Sequence, residues 1–222
     1  MTSRPNSDPA APSTETAADD GARAYLRART LVAHERLESL LPLQSAELSL
    51  ATYVSTLRRF LSIYETLEQR LVRYEPALDA LGYDSAGRRK VPLIQRDLAA
   101  LTDSRWVAQP PARVAPLPPD WDVAHVMGCL YVVEGSTLGG VLIRRHVEKI
   151  LHLGPASGAA FFHGYGSATG MRWKSLCALL ERALPDPALR DLAVVGANHT
   201  FRLFTEYLSD QNHDPLIDPA AV

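Results

Sequence analysis

An all-α, single-domain bundle is the fold this sequence predicts, and three observations lead there. Apolar residues recur at intervals of three and four through most of the chain. No segment shows the strict apolar–polar alternation of a strand. No internal repeat is present, and 222 residues are enough to bury one substantial core. Hydrophobic residues make up 46% and charged residues 22%, an ordinary globular balance.

Taken in order, residues 1–20 (MTSRPNSDPAAPSTETAADD) are rich in Pro, Ser, Thr, Ala and Asp and read as a disordered tail. The domain is expected over 21–210, with a flexible tail at 211–222. Leu26, Leu31, His34, Leu37 and Leu41 place a helix over 22–41. Ser49 is placed to cap a second, long helix that runs to Tyr74, with Pro76 marking its end. The segment LIQRDLAAL reads as a short helix, and QPPARVAPLPPD (109–120) as a proline-rich connector. A second long helix is expected over 121–153, interrupted by Gly135, Gly139 and Gly140. FFHGYGSATG (161–170) reads as a loop, with Thr169 capping a helix to about Leu184. Asp186 and Pro187 suit the cap and first position of the last helix.

The formal net charge of −2, with no run of Lys or Arg, argues against a nucleic-acid partner. No apolar run is read as membrane-spanning, and the N-terminus lacks a signal peptide's basic start and apolar stretch. Two cysteines, Cys129 and Cys177, with no CxxC pair, fit a reduced cytoplasmic setting.

Two features carry chemistry. In RARTLVAHERLESLL, Glu38 follows His34 by one helical turn and Arg27 precedes it by two, so all three share nearly one face. A neutral imidazole beside a carboxylate suits axial metal ligation, because the acceptor orients the ring and raises its basicity. Arg27, roughly 10 Å along the axis, is placed to meet an anionic group at the edge of a large ligand. The same pattern also fits a half-buried histidine with a surface i,i+4 pair. The second feature is YVVEGSTLGGVLIRRH (131–146), a helix weakened by its glycines at roughly 1 kcal/mol each. Such glycines admit either a neighbouring helix or a flat ligand against the backbone. Ser136 and Thr137 between them are able to hold water or to bond back to carbonyls. A histidine on one helix and a glycine stretch on another would sandwich a planar metal cofactor.

The strings AHERLESLLPL (33–43), RRFLSIYETLE (58–68), LYVVEGSTLGGVLI (130–143) and FFHGYGSATGMRW (161–173) resemble the bacterial biliverdin-producing haem oxygenases, of the type associated with bacteriophytochromes. They lie in family order across about residues 22–208. The resemblance implies a helical bundle with haem b between a proximal first helix and a glycine-kinked distal helix. It implies His34 as axial ligand to the haem iron, oriented by Glu38. Gly135 and Gly139 correspond to the distal glycines whose backbone lies near the oxygen-binding face, and Gly140 completes the close-approach surface. Arg27 and Arg172 correspond to partners of the haem propionates. Haem is then both cofactor and substrate, opened by O2 and external electrons to biliverdin, carbon monoxide and ferrous iron. The implied partners are a ferredoxin or reductase as electron donor and a bacteriophytochrome as bilin acceptor. Animal members carry aspartate where this chain has Ser136, so the catalytic water network must be built differently.

His146, His152, His163 and His213 read as surface residues, His125 as opening a helix and His199 as a satisfied buried histidine. Tyr165 is a candidate for the pocket wall; Tyr131 is one position away from the family's tyrosine and inherits no role. Two alternatives to the enzyme are a haem carrier or sensor without turnover, for which Ser136 is the hint, and a histidine phosphotransfer bundle. The latter needs an exposed histidine with nearby lysine and glycine, which AHERLESLLPL lacks.

Overall fold

A computed structural model of the protein describes residues 21–101, 118 and 120–209; among these, every regular element is helical. The expected tails and most of the proline-rich connector lie outside the described residues. The principal helices are α1 (Ala22–Leu40), α2 (Leu50–Leu71), α3 (Glu75–Ala80), α4 (Val91–Leu101), α5 (Val123–Leu151), α6 (Ala160–His163), α7 (Thr169–Ala183) and α8 (Pro187–Ser209).

Several starts follow the expected chemistry. Ser49 accepts a hydrogen bond from the Thr52 amide at the head of α2, and Asp186 accepts from the Leu189 amide at the head of α8. Asp122 and His125 form a reciprocal cap on α5. α1 has no cap of its own. Its first amides donate instead to the Glu181 carboxylate of α7, Ala22 at 2.6 Å and Arg23 at 3.1 Å. That bond across 158 and 159 residues fixes the register of α1 against the rest of the bundle.

The sequence expectations need four corrections. Pro76 does not end α2: the helix tightens to a 3-10 turn at Val72–Tyr74, and Pro76 sits in the first turn of α3. Proline is tolerated there because the first-turn N–H has no intrahelical partner. The segment 161–170 is not simply a loop, since it carries the end of α6 and a 3-10 turn at Gly166–Ala168. Thr169 opens α7 but does not cap it as an acceptor; its hydroxyl donates back to the Gly166 carbonyl. Finally, α5 is long and apolar enough to cross a membrane by length and composition, with a mean hydropathy of 1.6 over its most apolar stretch. Of that stretch 56% is buried within the protein, as the central helix of a bundle requires.

α5 makes its most extensive contact with α8, and α1 also packs along α8. The α5–α8 crossing is close because small residues meet there. A Cβ on Gly128 would lie 1.8 Å from the Ala193 carbonyl oxygen, and one on Gly196 would lie 2.0 Å from that of His125. α1 and α5, by contrast, have no extensive contact with each other. Both lean on α8 and diverge, and the space between them is the site.

Candidate functional site

A cavity of about 430 Å³ opens between α1 and α5, within the roughly 300–1,000 Å³ usual for ligand sites. α1 contributes Arg23, Arg27, His34 and Glu38 to its lining, and α5 contributes Tyr131 and residues from Gly135 to Gly140. Phe60 and Tyr64 of α2, Phe161 and Phe162 of α6, and Phe201 and Phe204 of α8 form an aromatic wall. Their rings meet edge-on or tilted at centroid distances such as 5.5 Å for Phe60–Phe161 and 5.6 Å for Tyr64–Phe204.

His34 lines this cavity with 52% of its side chain accessible. Its Nδ1 lies 3.5 Å from a Glu38 carboxylate oxygen. The ring edge packs on Phe201 at 5.9 Å. An imidazole braced on two sides, with a carboxylate at one nitrogen, offers its other nitrogen to a metal. Among the described residues no group of three or more His, Cys, Asp or Glu side chains is gathered to hold a bare ion. A single histidine suits a metal whose remaining ligands come with its own macrocycle.

The glycines divide into two kinds. α5 remains helical through Gly135, Gly139 and Gly140. None of these three is approached by a neighbouring helix backbone as closely as Gly128 or Gly196. A Cβ at Gly135 would find only the Trp173 ring at 3.7 Å, one at Gly140 the Phe162 ring at 3.6 Å and its carbonyl oxygen at 3.8 Å, and one at Gly139 nothing within 4 Å. Helix packing is instead the work of Gly128 and Gly196, which the sequence pattern did not single out. Gly139 borders open cavity, so the absence of its side chain leaves backbone accessible to a flat ligand.

Ser136 projects into the same space. Its hydroxyl donates to the Val133 carbonyl at 2.8 Å, and Thr137 bonds the same carbonyl at 3.2 Å. With its only proton engaged, the Ser136 oxygen accepts from the Tyr64 hydroxyl 3.2 Å away. Burial pushes the Tyr64 hydroxyl well above the ordinary phenol range, so it stays a donor.

Arg172 is not where the resemblance put it. It is absent from the cavity lining: its guanidinium donates to the Gly87 carbonyl, lies 3.5 Å from the Asp84 carboxylate and sits 4.4 Å over the Tyr165 ring. Asp84 and Gly87 hold it away from the cavity. Arg23, one turn before Arg27 on α1, supplies the second cation at the cavity instead. Helical spacing from Arg27 was the signal available for it.

Tyr165 is likewise turned away from the cavity, into a buried charge cluster that the sequence reading missed altogether. Glu134, 2% exposed, accepts from Arg88 at 2.8 Å and from Tyr165 at 2.7 Å, with Lys90 at 3.4 Å. Burial lowers the Lys90 amine to about 8, against the opposing pull of Glu134. Glu134 directly precedes Gly135, so the cluster fixes the rotation of α5 beside the first of the cavity glycines. Tyr131 does line the cavity.

The remaining histidines act structurally. His125 caps α5 and stacks on Trp121, and His146 bonds the Ser45 carbonyl at 2.7 Å. His152 ends α5 in the left-handed region. His199 is half-buried beside Trp121 and Arg202, both burial and that arginine lowering its pKa. His163 departs from the expected surface placement, since its Nδ1 is buried without a hydrogen-bond partner. His213 lies outside the described residues.

Residues 21–210 match the family described as Heme oxygenase. The chain belongs to the haem oxygenase family. A heme oxygenase from Xanthomonas campestris pv. campestris is 32% identical over 153 residues, 69% of this chain and 86% of that relative. The fold is shared with the heme oxygenase of Neisseria meningitidis solved with NO and CO bound, at a TM-score of 0.67 and 19% identity, covering 85% of this chain and 90% of that one. The heme oxygenase of Leptospira interrogans gives 0.67 at 18% identity, covering 85% and 98%. Heme oxygenase 2 of Chlamydomonas reinhardtii, solved without heme, gives 0.68 at 16% identity, covering 86% and 97%. As a haem oxygenase the chain is an oxidoreductase of a family that takes haem as both cofactor and substrate.

Proposed function

We propose that this haem oxygenase binds haem b between α1 and α5 and degrades it to biliverdin. The reading rests above all on His34 and the open backbone at Gly139 lining one cavity of sufficient size. Bound haem supplies the redox chemistry, with O2 and electrons from an external donor, and yields biliverdin, carbon monoxide and ferrous iron.

The chain's own residues do the rest. His34 would ligate the haem iron, with Glu38 holding its ring. Arg23 and Arg27 pair with the propionates, whose carboxylates suit a guanidinium fork. Gly139 would leave room for the macrocycle and expose polar backbone to the cavity. Ser136, with a lone pair left over, holds water there, and Tyr64 orients Ser136. Among the described residues that α5 lends to the cavity, hydroxyls and backbone are the polar groups that would hold the water supplying a proton. We further propose a ferredoxin or reductase as electron donor, a bacteriophytochrome as bilin acceptor, and the cytoplasm as the setting.

The test is an anaerobic haemin titration followed by oxygen with ascorbate or a ferredoxin system, monitored by absorption. A histidine-ligated spectrum that decays as a biliverdin band grows is the expected result. Stoichiometric haem binding that survives demonstrated iron reduction would make the chain a carrier or sensor, with Ser136 the residue to examine. No haem binding at all would overturn the assignment of the cavity.

A further inference from the structure

We infer that Asp97, a residue outside the cavity, is the positioning residue for its Phe161–Phe162 wall and thereby governs which edge of the tetrapyrrole is opened. The inference rests on the proposed haem cleavage and extends it to a side chain that touches no ligand.

Most of the cavity is lined by long helices whose positions are set by extensive packing. Phe161 and Phe162 are different, because they ride on α6, which is four residues long. A single turn does not hold itself together, since nucleation costs more than one turn of hydrogen bonds returns. Its flanks, Gly158 with φ of 115° and Gly164 with φ of 57°, are left-handed turns rather than supports. The wall therefore has to be pinned from outside.

Asp97 is the pin. It is fully buried on α4, and its two carboxylate oxygens each accept one backbone amide of α6: Oδ1 from Ala160 and Oδ2 from Phe161, both at 2.7 Å. Two bonds from one rigid fork fix the turn's rotation as well as its distance. A second anchor lies just before it, where the Tyr53 hydroxyl donates to the Gly158 carbonyl at 3.0 Å. Burial raises the Asp97 pKa while the two amides and Arg96 oppose it. A buried carboxylate works against folding unless its acceptors are needed. Here they are needed by the two residues that lead into the wall.

The wall bears on reaction geometry. Phe161 and Phe162 pack against Phe60, Tyr64 and each other. Phe162 also stands 3.6 Å from where a Cβ of Gly140 would be. A disc held at its centre by His34 turns about that axis. Its angle is set by carboxylates drawn to Arg23 and Arg27 and by apolar edges stopped at the aromatic wall. Loosening the wall removes one of the two stops.

Asp97→Asn keeps the shape but leaves one acceptor and sets an NH2 donor against the other amide. In the folded variant, haem should bind with its histidine-ligated spectrum. The ratio of minor to major bilin isomers should rise about fivefold, the scale of one lost hydrogen bond. The haem-methyl shifts of the cyanide-ligated ferric protein, read by NMR without turnover, should move with it. Tyr53→Phe, which removes the second anchor, should shift both readouts in the same sense and serves if Asp97→Asn does not fold. Leu98→Ala, a buried neighbour on α4, is the control for general loosening and should leave both readouts unchanged. Unchanged isomers and methyl shifts in folded Asp97→Asn, or equal shifts in Leu98→Ala, would overturn the inference. Wild-type protein that binds haem but releases no bilin would refute the proposed function instead, and the methyl shifts would still report on the wall.

Discussion

Replacing Gly139 with alanine should make the haem-free protein more stable and the enzyme worse. In the structure the added methyl meets nothing within 4 Å, and the backbone is ordinary right-handed helix. The helix then gains the full difference in propensity, about 0.8–1 kcal/mol. For a domain of this size that raises Tm by roughly 2–4 °C. The same methyl would occupy the cavity surface on which the proposed haem would lie. Overpacking of that kind costs about 1–3 kcal/mol, or roughly five- to 150-fold in haem affinity or in the rate of ring opening. Thermal denaturation of the haem-free variant and a haemin titration read the two sides separately. Gly128→Ala is the contrast: its methyl would fall 1.8 Å from the Ala193 carbonyl, so it should lower Tm sharply. A Gly139→Ala protein that is less stable than wild type would show the glycine serving the fold. One that is more stable yet binds and cleaves haem normally would show that no ligand approaches the helix there.

His34→Ala should lose the histidine-ligated haem spectrum and regain it on addition of free imidazole; a spectrum unchanged from wild type would place the ligand elsewhere. Arg23→Ala and Arg27→Ala should each weaken haem binding about tenfold, the scale of one charge-assisted bond, whereas Arg172→Ala should leave affinity alone. Equal losses at all three positions, by haemin titration, would contradict the placement of Arg172 against Asp84 and Gly87. Lys90 should give stability a dependence on alkaline pH. Its folded pKa of about 8 lies below the unfolded value near 10.5, so between them the unfolded chain binds the proton and the folded one does not. Stability from this group therefore rises with pH across that window, by up to about 1.4 kcal/mol per unit, and is flat below it. Denaturant unfolding at pH 7.5 and 10 should show the advantage of wild type over Lys90→Met growing with pH; a constant difference would mean Glu134 keeps Lys90 charged throughout.

The parts legible in the sequence were those whose physics is local. Helical spacing, the Ser49 and Asp186 caps and the His34–Glu38 step all depend on residues within one or two turns, and the structure has them. Pro76 was misread because a proline that ends one helix and a proline that begins the next look alike until the backbone between them is known. The α1 cap was invisible because its acceptor, Glu181, is 158 residues away from Arg23. Glu134 was passed over for a related reason. In YVVEGSTLGG it reads as the polar position of an amphipathic helix, and only the fold brings Arg88, Lys90 and Tyr165 around it.

The glycines show what sequence resolves and what only packing resolves. Gly128, Gly135, Gly139, Gly140 and Gly196 carry the same helical cost, and nothing in their neighbours separates them. What separates them is the partner each Cβ would meet: a carbonyl oxygen within about 2 Å for Gly128 and Gly196, open cavity for Gly139. The first pair recovers its cost by letting α5 and α8 approach closely. Gly139 recovers nothing from the fold, so its cost is a standing loss of stability that only an occupied cavity offsets. Asp97 differs, because its buried carboxylate is satisfied by the two α6 amides that it holds in place. In the proposed reading Gly139 admits the tetrapyrrole and Asp97 aims it, so a substitution that relieves the fold at Gly139 and one that loosens it at Asp97 are both expected to be felt in the chemistry.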